Sequence, residues 1–344
     1  MPLIKPIALR PGDRVATVSS SWGGAGDPEL RWRYDAGKAA LEREFGLKVV
    51  EMPHTLAGSE YVYDHPEARA QDLMDAFRDP SIKAIFSCIG GDDSIRILPY
   101  VDFDVIRRNP KPFLGFSDST ITHLICHKAG VTSYYGPAIL SEFGENNGVY
   151  PYTLDRVRRA LFSTAPIGAV TPPAAWTGER IHWSYENRFK VKAMQPHEGV
   201  IVLQGRGVVR GRLFGGCLEV LEFAKGTRLW PSRRTFSRAI LFFETSEDQP
   251  SPANVEYILR SYGVLGVLQA ANALVFGKPS GNVHFEAYRK SIVKIMREFG
   301  LEDKPVLYNL CFGHNEPMAV IPYGVRAEVD ADRGVLRILE AGVR

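Results

Sequence analysis

The sequence has few cysteines, no long apolar run and no block of basic residues, and each absence narrows the class of protein. Its 344 residues include four widely spaced cysteines in apolar surroundings, Cys88, Cys126, Cys217 and Cys311. This is typical of buried thiols and argues against a disulfide framework or a zinc site. No window approaches the length of a membrane span, and the first residues lack the apolar core of a signal peptide. We therefore expect a cytoplasmic protein with no membrane partner.

The charge balance argues against nucleic acid as a partner. Lys and Arg number 42 and Asp and Glu 39, which leaves a net charge of +3. The basic residues form only short, scattered pairs such as Arg107-Arg108 and Arg233-Arg234, and a binding surface would need a denser patch. A hydrophobic content of 45% at this length is sufficient for two domains with cores.

Strand-like and helix-like segments alternate over the first half of the chain. In chain order, the predicted strands and helices are 14–19, 31–45, 47–51, 66–78 and 82–87. Such alternation predicts a parallel sheet with helices on both faces. Functional loops of such a sheet lie at the carboxyl ends of its strands, where Ser20, Gly90-Gly91 and Ser117 all fall.

The pattern changes at 163–178, which is rich in Pro, Ala and Thr and has no sustained period, as expected of a linker. The second half is more β-like, with a helix predicted to open at Phe214 and a hairpin at 326–339. The predicted fold class is α/β, with a parallel-sheet N-terminal domain and a smaller, β-rich C-terminal α/β domain. We place the N-terminal domain at 1–162, the linker with an active-site loop at 163–185 and the C-terminal domain at 186–344.

Ser117 stands at a tight turn between a predicted strand and a predicted helix. An apolar run ends in Gly115-Phe-Ser-Asp-Ser119, and the helical pattern 120–130 follows at once. Hydrolases use this arrangement to expose a nucleophilic serine beside a helix N-terminus. The usual elbow reads G-x-S-x-G, and here Ser119 replaces the last glycine. The alternative is an ordinary turn whose serine caps the helix.

A serine nucleophile needs a base and a group that orients the base. His314 follows a predicted strand within a loop, and Glu244 ends another apolar strand; a surface histidine and a loop-capping glutamate are the alternatives. His123 and His127 have the i, i+4 spacing of metal ligands. Leu-Ile-Cys stands between them, without the glutamate of the zinc pattern, so we predict no metal.

Gly90-Gly91 follows a buried strand and is a candidate source of backbone donors. Glycine lets an N–H approach a substrate carbonyl closely, as an oxyanion hole requires. The sequence Gly-Gly-Asp-Asp has no P-loop lysine, so a phosphate cradle is disfavoured.

Taken together, these segments resemble the serine LD-carboxypeptidase family and, within it, the microcin C immunity branch. The motifs that carry the resemblance span nearly the whole chain: Ile89-Gly-Gly-Asp-Asp93, Gly115-Phe-Ser-Asp118, Gly211-Arg-Leu-Phe-Gly-Gly-Cys-Leu218, Phe243-Glu-Thr-Ser-Glu247, Gly313-His-Asn-Glu-Pro317 and Pro322-Tyr-Gly324.

The resemblance implies a role for each candidate. Ser117 would be the nucleophile, His314 the general base and Glu244 its partner. The backbone N–H groups of Asp118 and Gly91 would form the oxyanion hole. It also implies a homodimer, and we predict no cofactor.

The resemblance implies two possible substrates. One is an acidic aminoacyl group joined to a nucleotide-like moiety by an amide-type bond, whose hydrolysis would detoxify a microcin C-type antibiotic. The other is a muropeptide that loses its terminal D-alanine during cell-wall recycling. The Gly-Gly-Asp-Asp loop and Trp183, which resembles a base-stacking tryptophan, favour the first. Trp183 and Trp176 could also simply pack between domains.

Two further classes stay open. A non-catalytic binding protein would clamp a small ligand between two halves and would tolerate loss of the Ser117 hydroxyl. A nucleotide-dependent enzyme would use the glycine-rich loop 20–26 and would bind phosphate independently of Ser117.

Overall fold

The N-terminal half contains a sheet whose consecutive strands run parallel. The structure is a computed structural model that describes residues 2–344. The strands of this half are β1 (Arg14–Val18), β2 (Lys48–Glu51), β3 (Ile82–Ser87), β4 (Phe113–Gly115) and β5 (Tyr134–Tyr135). They lie in the order β5-β4-β3-β1-β2, and each adjacent pair is parallel. Nearly all of β3 is buried, as is typical of a strand covered on both faces. The predicted parallel sheet is confirmed.

Helices connect these strands, and one more helix follows β5. They are α1 (Arg31–Phe45), α2 (Ser59–Asp64), α3 (Pro66–Arg78), α4 (Phe103–Arg108), α5 (Thr120–Ala129) and α6 (Pro151–Val157). The chain moves from β1 out to β2 and then back across β1 to β3, so right-handed connections place α1 and α3 on opposite faces. The bounds of α1 and α3 are those predicted from the sequence. A proline in the first turn starts α3, and Gly46 ends α1 with a φ of 66°.

The C-terminal half is built on a mixed sheet. The remaining strands are β6 (Gly168–Ala169), β7 (Ala175–Trp176), β8 (Gln195–Pro196), β9 (Ile201–Gln204), β10 (Val208–Cys217), β11 (Ile240–Glu244), β12 (Ala273–Gly277), β13 (Val306–Leu310), β14 (Ile321–Pro322), β15 (Arg326–Asp330) and β16 (Val335–Ile338). Eight of them form one sheet in the order β6-β16-β15-β10-β11-β12-β13-β9, in which β10 to β13 are parallel and the flanking pairs antiparallel. The helices are α7 (Leu218–Ala224), α8 (Arg233–Phe236), α9 (Pro252–Val264), α10 (Val267–Ala270) and α11 (Phe285–Glu298).

The helix predicted to open at Phe214 begins later, at Leu218, because β10 continues to Cys217. Gly215 pairs with Phe242 of β11 so closely that a Cβ on Gly215 would lie 1.6 Å from the Phe242 carbonyl oxygen. The lack of a side chain on Gly215 therefore allows β10 to continue alongside β11.

Two strands link the halves more closely than a flexible linker would. β14, from the C-terminal half, pairs with β5 and completes the first sheet as its sixth strand. β6 lies within the predicted linker and pairs with β16. One apolar core runs through both halves. The exact domain boundaries stay a prediction. Within residues 2–344, no helix has both the length and the apolar character needed to cross a bilayer.

Candidate active site

A cavity of about 480 Å³ lies at the carboxyl ends of the parallel strands, between the two halves. The loops that follow β1, β3 and β4 line it from the N-terminal half, and the loops that follow β11 and β13 line it from the C-terminal half. The segment from Thr177 to Lys192 supplies a further part of the wall, together with residues of α1, α2 and α7. The connections diverge between β1 and β3, and ligands of open α/β sheets bind outside the strand ends at such a point.

Ser117 occupies a strained turn at this cavity. Its φ of 59° lies in the left-handed region, although it is not a glycine. Such a conformation costs about 1–3 kcal/mol and is found preferentially at functional sites. The Ser117 N–H donates a hydrogen bond to Tyr135 Oη at 3.0 Å, and α5 begins three residues later. The turn thus has the geometry of a nucleophile elbow.

Glu244 and His314 meet beside Ser117. His314 Nδ1 lies 2.7 Å from Glu244 Oε2, and both side chains are buried. Tyr135 Oη donates a hydrogen bond to the other Glu244 oxygen. Gly313 makes the contact possible, because a Cβ at its φ of +100° would lie 2.6 Å from the Glu244 carboxylate. The carboxylate therefore fixes the ring orientation and directs Nε2 away from itself.

Two carboxylates control the charge of His314. Burial disfavours the imidazolium, but Glu244 and Glu247 outweigh it and raise the pKa of His314 to about 10. Glu247 Oε2 lies 2.8 Å from Nε2. Nε2 therefore faces the Glu247 carboxylate in a buried ion pair and has no other polar partner among residues 2–344. Ser117 and His314 line the same cavity, but no hydrogen bond joins them in this state.

The Gly90-Gly91 loop passes directly over Ser117. A Cβ on Gly90 would lie 3.0 Å from Ser117 Oγ, and one on Gly91, whose φ is +142°, would lie 2.4 Å from Ser21 Oγ. Only glycine permits both approaches.

Two hydrogen bonds to its side chain fix the position of Asp118. Its carboxylate accepts hydrogen bonds from Ser21 Oγ and from the Ser94 N–H. Burial raises the pKa of this carboxyl to about 6, although both hydrogen bonds act in the opposite direction. These contacts fix the backbone next to Ser117, where an oxyanion donor is predicted. The oxyanion roles of Asp118 and Gly91 stay predictions.

Trp183 and Trp176 have different environments. Trp183 is half-buried and lines the cavity, with the Arg33 guanidinium 4.5 Å from its ring centroid. Trp176 is buried, packs on Lys278 Nζ at 4.0 Å and does not line the cavity. Of the two tryptophans, only Trp183 can meet a ligand there, and its role in base stacking stays a prediction.

The two histidines weighed as metal ligands have other partners. His123 is buried, with Nδ1 2.9 Å from Ser133 Oγ and Nε2 2.9 Å from the Gly115 carbonyl oxygen. His127 packs on Phe214. No group of three or more His, Cys, Asp or Glu side chains in residues 2–344 is arranged to hold a metal ion.

Sequence reasoning missed two parts of the site. One is Tyr135, which bridges the predicted nucleophile and the predicted carboxylate. The other is Lys192, whose Nζ lies 2.7 Å from carboxylate oxygens of both Glu145 and Glu316 and so fastens the cavity wall to both halves. No sequence signal identifies either residue, because Tyr135 reaches Glu244 across 109 positions and Lys192 reaches Glu145 and Glu316 across 47 and 124 positions.

The fold and this site define a hydrolase of the serine peptidase class. Family models described as the LD-carboxypeptidase N-terminal and C-terminal domains match residues 15–136 and 210–329. The chain belongs to this family, as its resemblance had implied.

Three relatives illustrate the breadth of the family. The structure of an MccF-like protein from Streptococcus pneumoniae in complex with AMP is 32% identical in sequence to this chain, with a TM-score of 0.88. The match covers 95% of this chain and 98% of that protein's chain. The microcin C7 self-immunity protein MccF of Escherichia coli is 29% identical over 98% of this chain and 96% of its own length. A structure of MccF in complex with aspartyl sulfamoyl adenosine has a TM-score of 0.86 at 28% identity, covering 99% and 100% of the two chains. The murein tetrapeptide carboxypeptidase of Pseudomonas aeruginosa is 23% identical over 81% of this chain and 83% of its own length.

Proposed function

We propose that this chain is a serine hydrolase that cleaves the amide-type bond between an aminoacyl group and a nucleotide-like moiety, with Ser117, His314 and Glu244 as its triad. The observation that carries the proposal is the Glu244–His314 pair at 2.7 Å, at the same cavity as a serine in a left-handed turn. Nucleophile, base and orienting carboxylate are the three groups that covalent acyl transfer needs.

The reaction would proceed in two acyl-transfer steps. Ser117 Oγ attacks the carbonyl carbon while His314 Nε2 takes its proton, and the oxyanion is stabilised by the N–H groups of Asp118 and Gly91. His314 then protonates the leaving nitrogen, and an acyl ester remains on Ser117. Water, deprotonated by His314, hydrolyses the ester and restores the serine.

Proton transfer requires a neutral His314. With Glu247 at Nε2 the pKa of His314 is about 10, so the ring is protonated at neutral pH. The exposed Glu247 side chain therefore has to leave Nε2 before Ser117 can take its place as the hydrogen-bond partner.

The position of Trp183 supports the proposal of a nucleotide-like leaving group. Arg33 packs on the Trp183 ring, and the ring also lines the cavity. A base would stack on the ring, at about 1–3 kcal/mol by alanine substitution. The solved relatives hold AMP, aspartyl sulfamoyl adenosine and glutamyl sulfamoyl guanosine, which supports the same class of ligand here. The resemblance implied an acidic acyl group, which aspartyl sulfamoyl adenosine would test directly.

Removal of a terminal D-alanine from a muropeptide is the second candidate function. The similarity to the murein tetrapeptide carboxypeptidase supports it. The chemistry at Ser117 would be the same, and Trp183 would then only pack.

The test compares the wild type with Ser117→Ala on an aminoacyl sulfamoyl adenosine and on a tetrapeptide ending in D-alanine, with products read by mass spectrometry. We expect cleavage of the adenosine compound by the wild type only. Cleavage of the tetrapeptide alone would assign the second function, and activity that survives in Ser117→Ala would refute the triad.

Ser119→Ala is the matched control. Ser119 is a buried serine two residues away whose Oγ lies 3.0 Å from Ser87 Oγ, and it does not line the cavity. It should therefore retain activity within a few-fold of the wild type.

A further inference from the structure

The loops that carry the two predicted oxyanion donors both contact Ser21. The Ser21 hydroxyl donates a hydrogen bond to the Asp118 carboxylate, and a Cβ on Gly91 would lie 2.4 Å from the same oxygen. The N–H of the next residue, Trp22, donates to the Gly90 carbonyl oxygen at 3.1 Å. The position of Ser21 therefore influences the backbone at both Gly91 and Asp118.

A buried arginine of α3, Arg69, binds Ser21 and the loop after β3 at the same time. Its side chain is 1% exposed. Arg69 Nη1 donates one hydrogen bond to the Ser21 carbonyl oxygen at 3.0 Å and another to Asp93 Oδ1 at 2.7 Å. Ser21 follows β1 and Asp93 follows β3, so one guanidinium joins the two loops. Arg69 does not line the cavity, so a ligand bound there would not touch it.

The loop after β3 is bonded in turn to the loop after β4. Ser94, which follows Asp93, donates its N–H to Asp118 Oδ2 at 2.8 Å and its hydroxyl to the Asp118 carbonyl oxygen at 2.9 Å. The same Oδ2 accepts the hydroxyl of Ser21. Three loops at the carboxyl ends of the first sheet therefore belong to one hydrogen-bond network. It begins at Arg69 and ends at the residue after the predicted nucleophile.

The need for charge balance does not explain a buried arginine at this position. A guanidinium loses its hydration on burial, so a buried ion pair is weak evidence for a gain in stability. Arg69 Nε has no hydrogen-bond partner among residues 2–344. Asp93 also has a second cation, Arg96, whose Nη1 lies 2.9 Å from Oδ2. What Arg69 adds to the Asp93–Arg96 pair is the connection to Ser21.

We propose that Arg69 is a positioning residue for hydrolysis, which joins the loops after β1 and β3 so that the N–H groups of Gly91 and Asp118 are directed at the same oxyanion. This inference rests on the proposed hydrolase function and adds to it a residue outside the triad and the cavity. An oxyanion hole stabilises the transition state because its donors are fixed before the charge develops. A misplacement of about 1 Å can cost about a hundredfold in rate.

The kinetic test compares Arg69→Met with Arg69→Lys on whichever substrate is cleaved. Both variants should fold, because Asp93 is 25% exposed and keeps Arg96 as its cation. We expect Arg69→Met to lower kcat by about ten- to a hundredfold, with KM changed less than about threefold. Arg69→Lys should recover part of this loss, because both short bonds come from one nitrogen that an ammonium can replace. Wild-type kcat in Arg69→Met, or an equal loss in both variants, would overturn the proposal.

Two other arginines separate the connection between the loops from the charge alone. Arg96→Met removes a cation from Asp93 but leaves the bond to Ser21, so kcat should stay within about threefold of the wild type. Arg78→Met removes an exposed ion pair from the same helix and should leave kcat unchanged. A loss in Arg96→Met as large as that in Arg69→Met would mean that neutralising Asp93 is what matters, and the positioning role would fail.

Hydrogen exchange keeps this inference separate from the proposed function. Exchange of the peptides that cover 20–22 and 89–94 is followed by mass spectrometry without any substrate. In Arg69→Met both should exchange at least about tenfold faster than in the wild type, while the peptide that covers α9 stays unchanged. Faster exchange in an enzyme that cleaves nothing would support the connection made by Arg69, and only the proposed hydrolysis would fail. Unchanged exchange would refute the connection whatever is cleaved.

Discussion

Tyr135 offers the sharpest test of how the site is assembled. Its hydroxyl accepts a hydrogen bond from the Ser117 N–H at 3.0 Å and donates one to Glu244. The side chain is completely buried. Tyr135→Phe therefore removes two contacts at once and leaves a backbone donor and a carboxylate oxygen without their partner.

The expected loss of stability follows from these two bonds. A hydrogen bond to a charged group contributes about 1.5–3 kcal/mol, and a neutral one about 0.5–1.5 kcal/mol. Tyr135→Phe should therefore lower the free energy of unfolding by about 2–4.5 kcal/mol. With an unfolding entropy of about 2.1 cal/mol/K per residue over 344 residues, that corresponds to a decrease in Tm of roughly 3–6 °C.

The neighbouring residue provides a matched control. Tyr134 is equally buried, and its hydroxyl donates to the Gly342 carbonyl oxygen at 2.7 Å, away from the predicted triad. Tyr134→Phe removes one neutral bond and should cost about 0.5–1.5 kcal/mol.

Thermal unfolding and steady-state kinetics on a cleaved substrate are compared for both variants. Tyr135→Phe should lower kcat by about ten- to a hundredfold with little change in KM, since small misplacements of reacting groups have effects of this size. Tyr134→Phe should leave kcat nearly unchanged. Equal Tm and equal kcat in the two variants would refute the bridging role of Tyr135.

Three other predictions concern the cavity and its walls. Lys192→Met should lower the free energy of unfolding by about 3–5 kcal/mol in urea titrations because it leaves the buried Glu316 carboxylate without a cation, although Glu145 keeps Arg33. The exposed Lys294→Met should cost at most about 1 kcal/mol, and similar losses would contradict the buried network. The raised pKa of His314 means that its proton stabilises the fold fully below about pH 6.5 and that this contribution is lost as the pH rises toward 10. Glu247→Gln should therefore flatten the dependence of unfolding free energy on pH in this window and move the rising limb of the kcat/KM profile to lower pH, and unchanged profiles would exclude the Glu247 contact. Gly91→Ala, which introduces a Cβ in a left-handed conformation, should reduce kcat at least about a hundredfold in rate assays; retained activity would remove this loop from the oxyanion hole.

The sequence predicts the N-terminal architecture well for a physical reason. Parallel strands covered on both faces appear as short apolar runs, and the helices between them carry their own signals, such as the proline at the start of α3. Segment 82–87 and the two long helices are therefore located correctly. The extension of β10 to Cys217 could not be predicted in this way. It depends on how closely Gly215 approaches a strand 27 positions later, and no local pattern reports that distance.

The same distinction between local signals and contacts of distant residues applies to the active site. Ser117 and His314 follow buried strands and Glu244 ends one, so topology places each of them at the carboxyl end of its own sheet. Topology does not identify their partners. The hydroxyl of Tyr135 reaches a carboxylate 109 positions away, and Lys192 reaches Glu316 across 124 positions. The Tyr135 contact exists only after the halves have docked, whereas the Lys192 contact joins distant residues within the C-terminal half, and no periodicity or motif encodes either.

The pairing of β14 with β5 also bears on how the chain is made. A nascent N-terminal half would leave the ribosome with β5 as an open edge, because the strand that covers it lies at 321–322. Uncovered edges invite pairing with other chains. The first sheet remains unfinished until almost the entire polypeptide has been synthesised, and Tyr135 lacks its carboxylate partner until Glu244 has been made. Cutting the protein at its apparent linker would make that transient state permanent, so the two halves should be produced and studied as one piece.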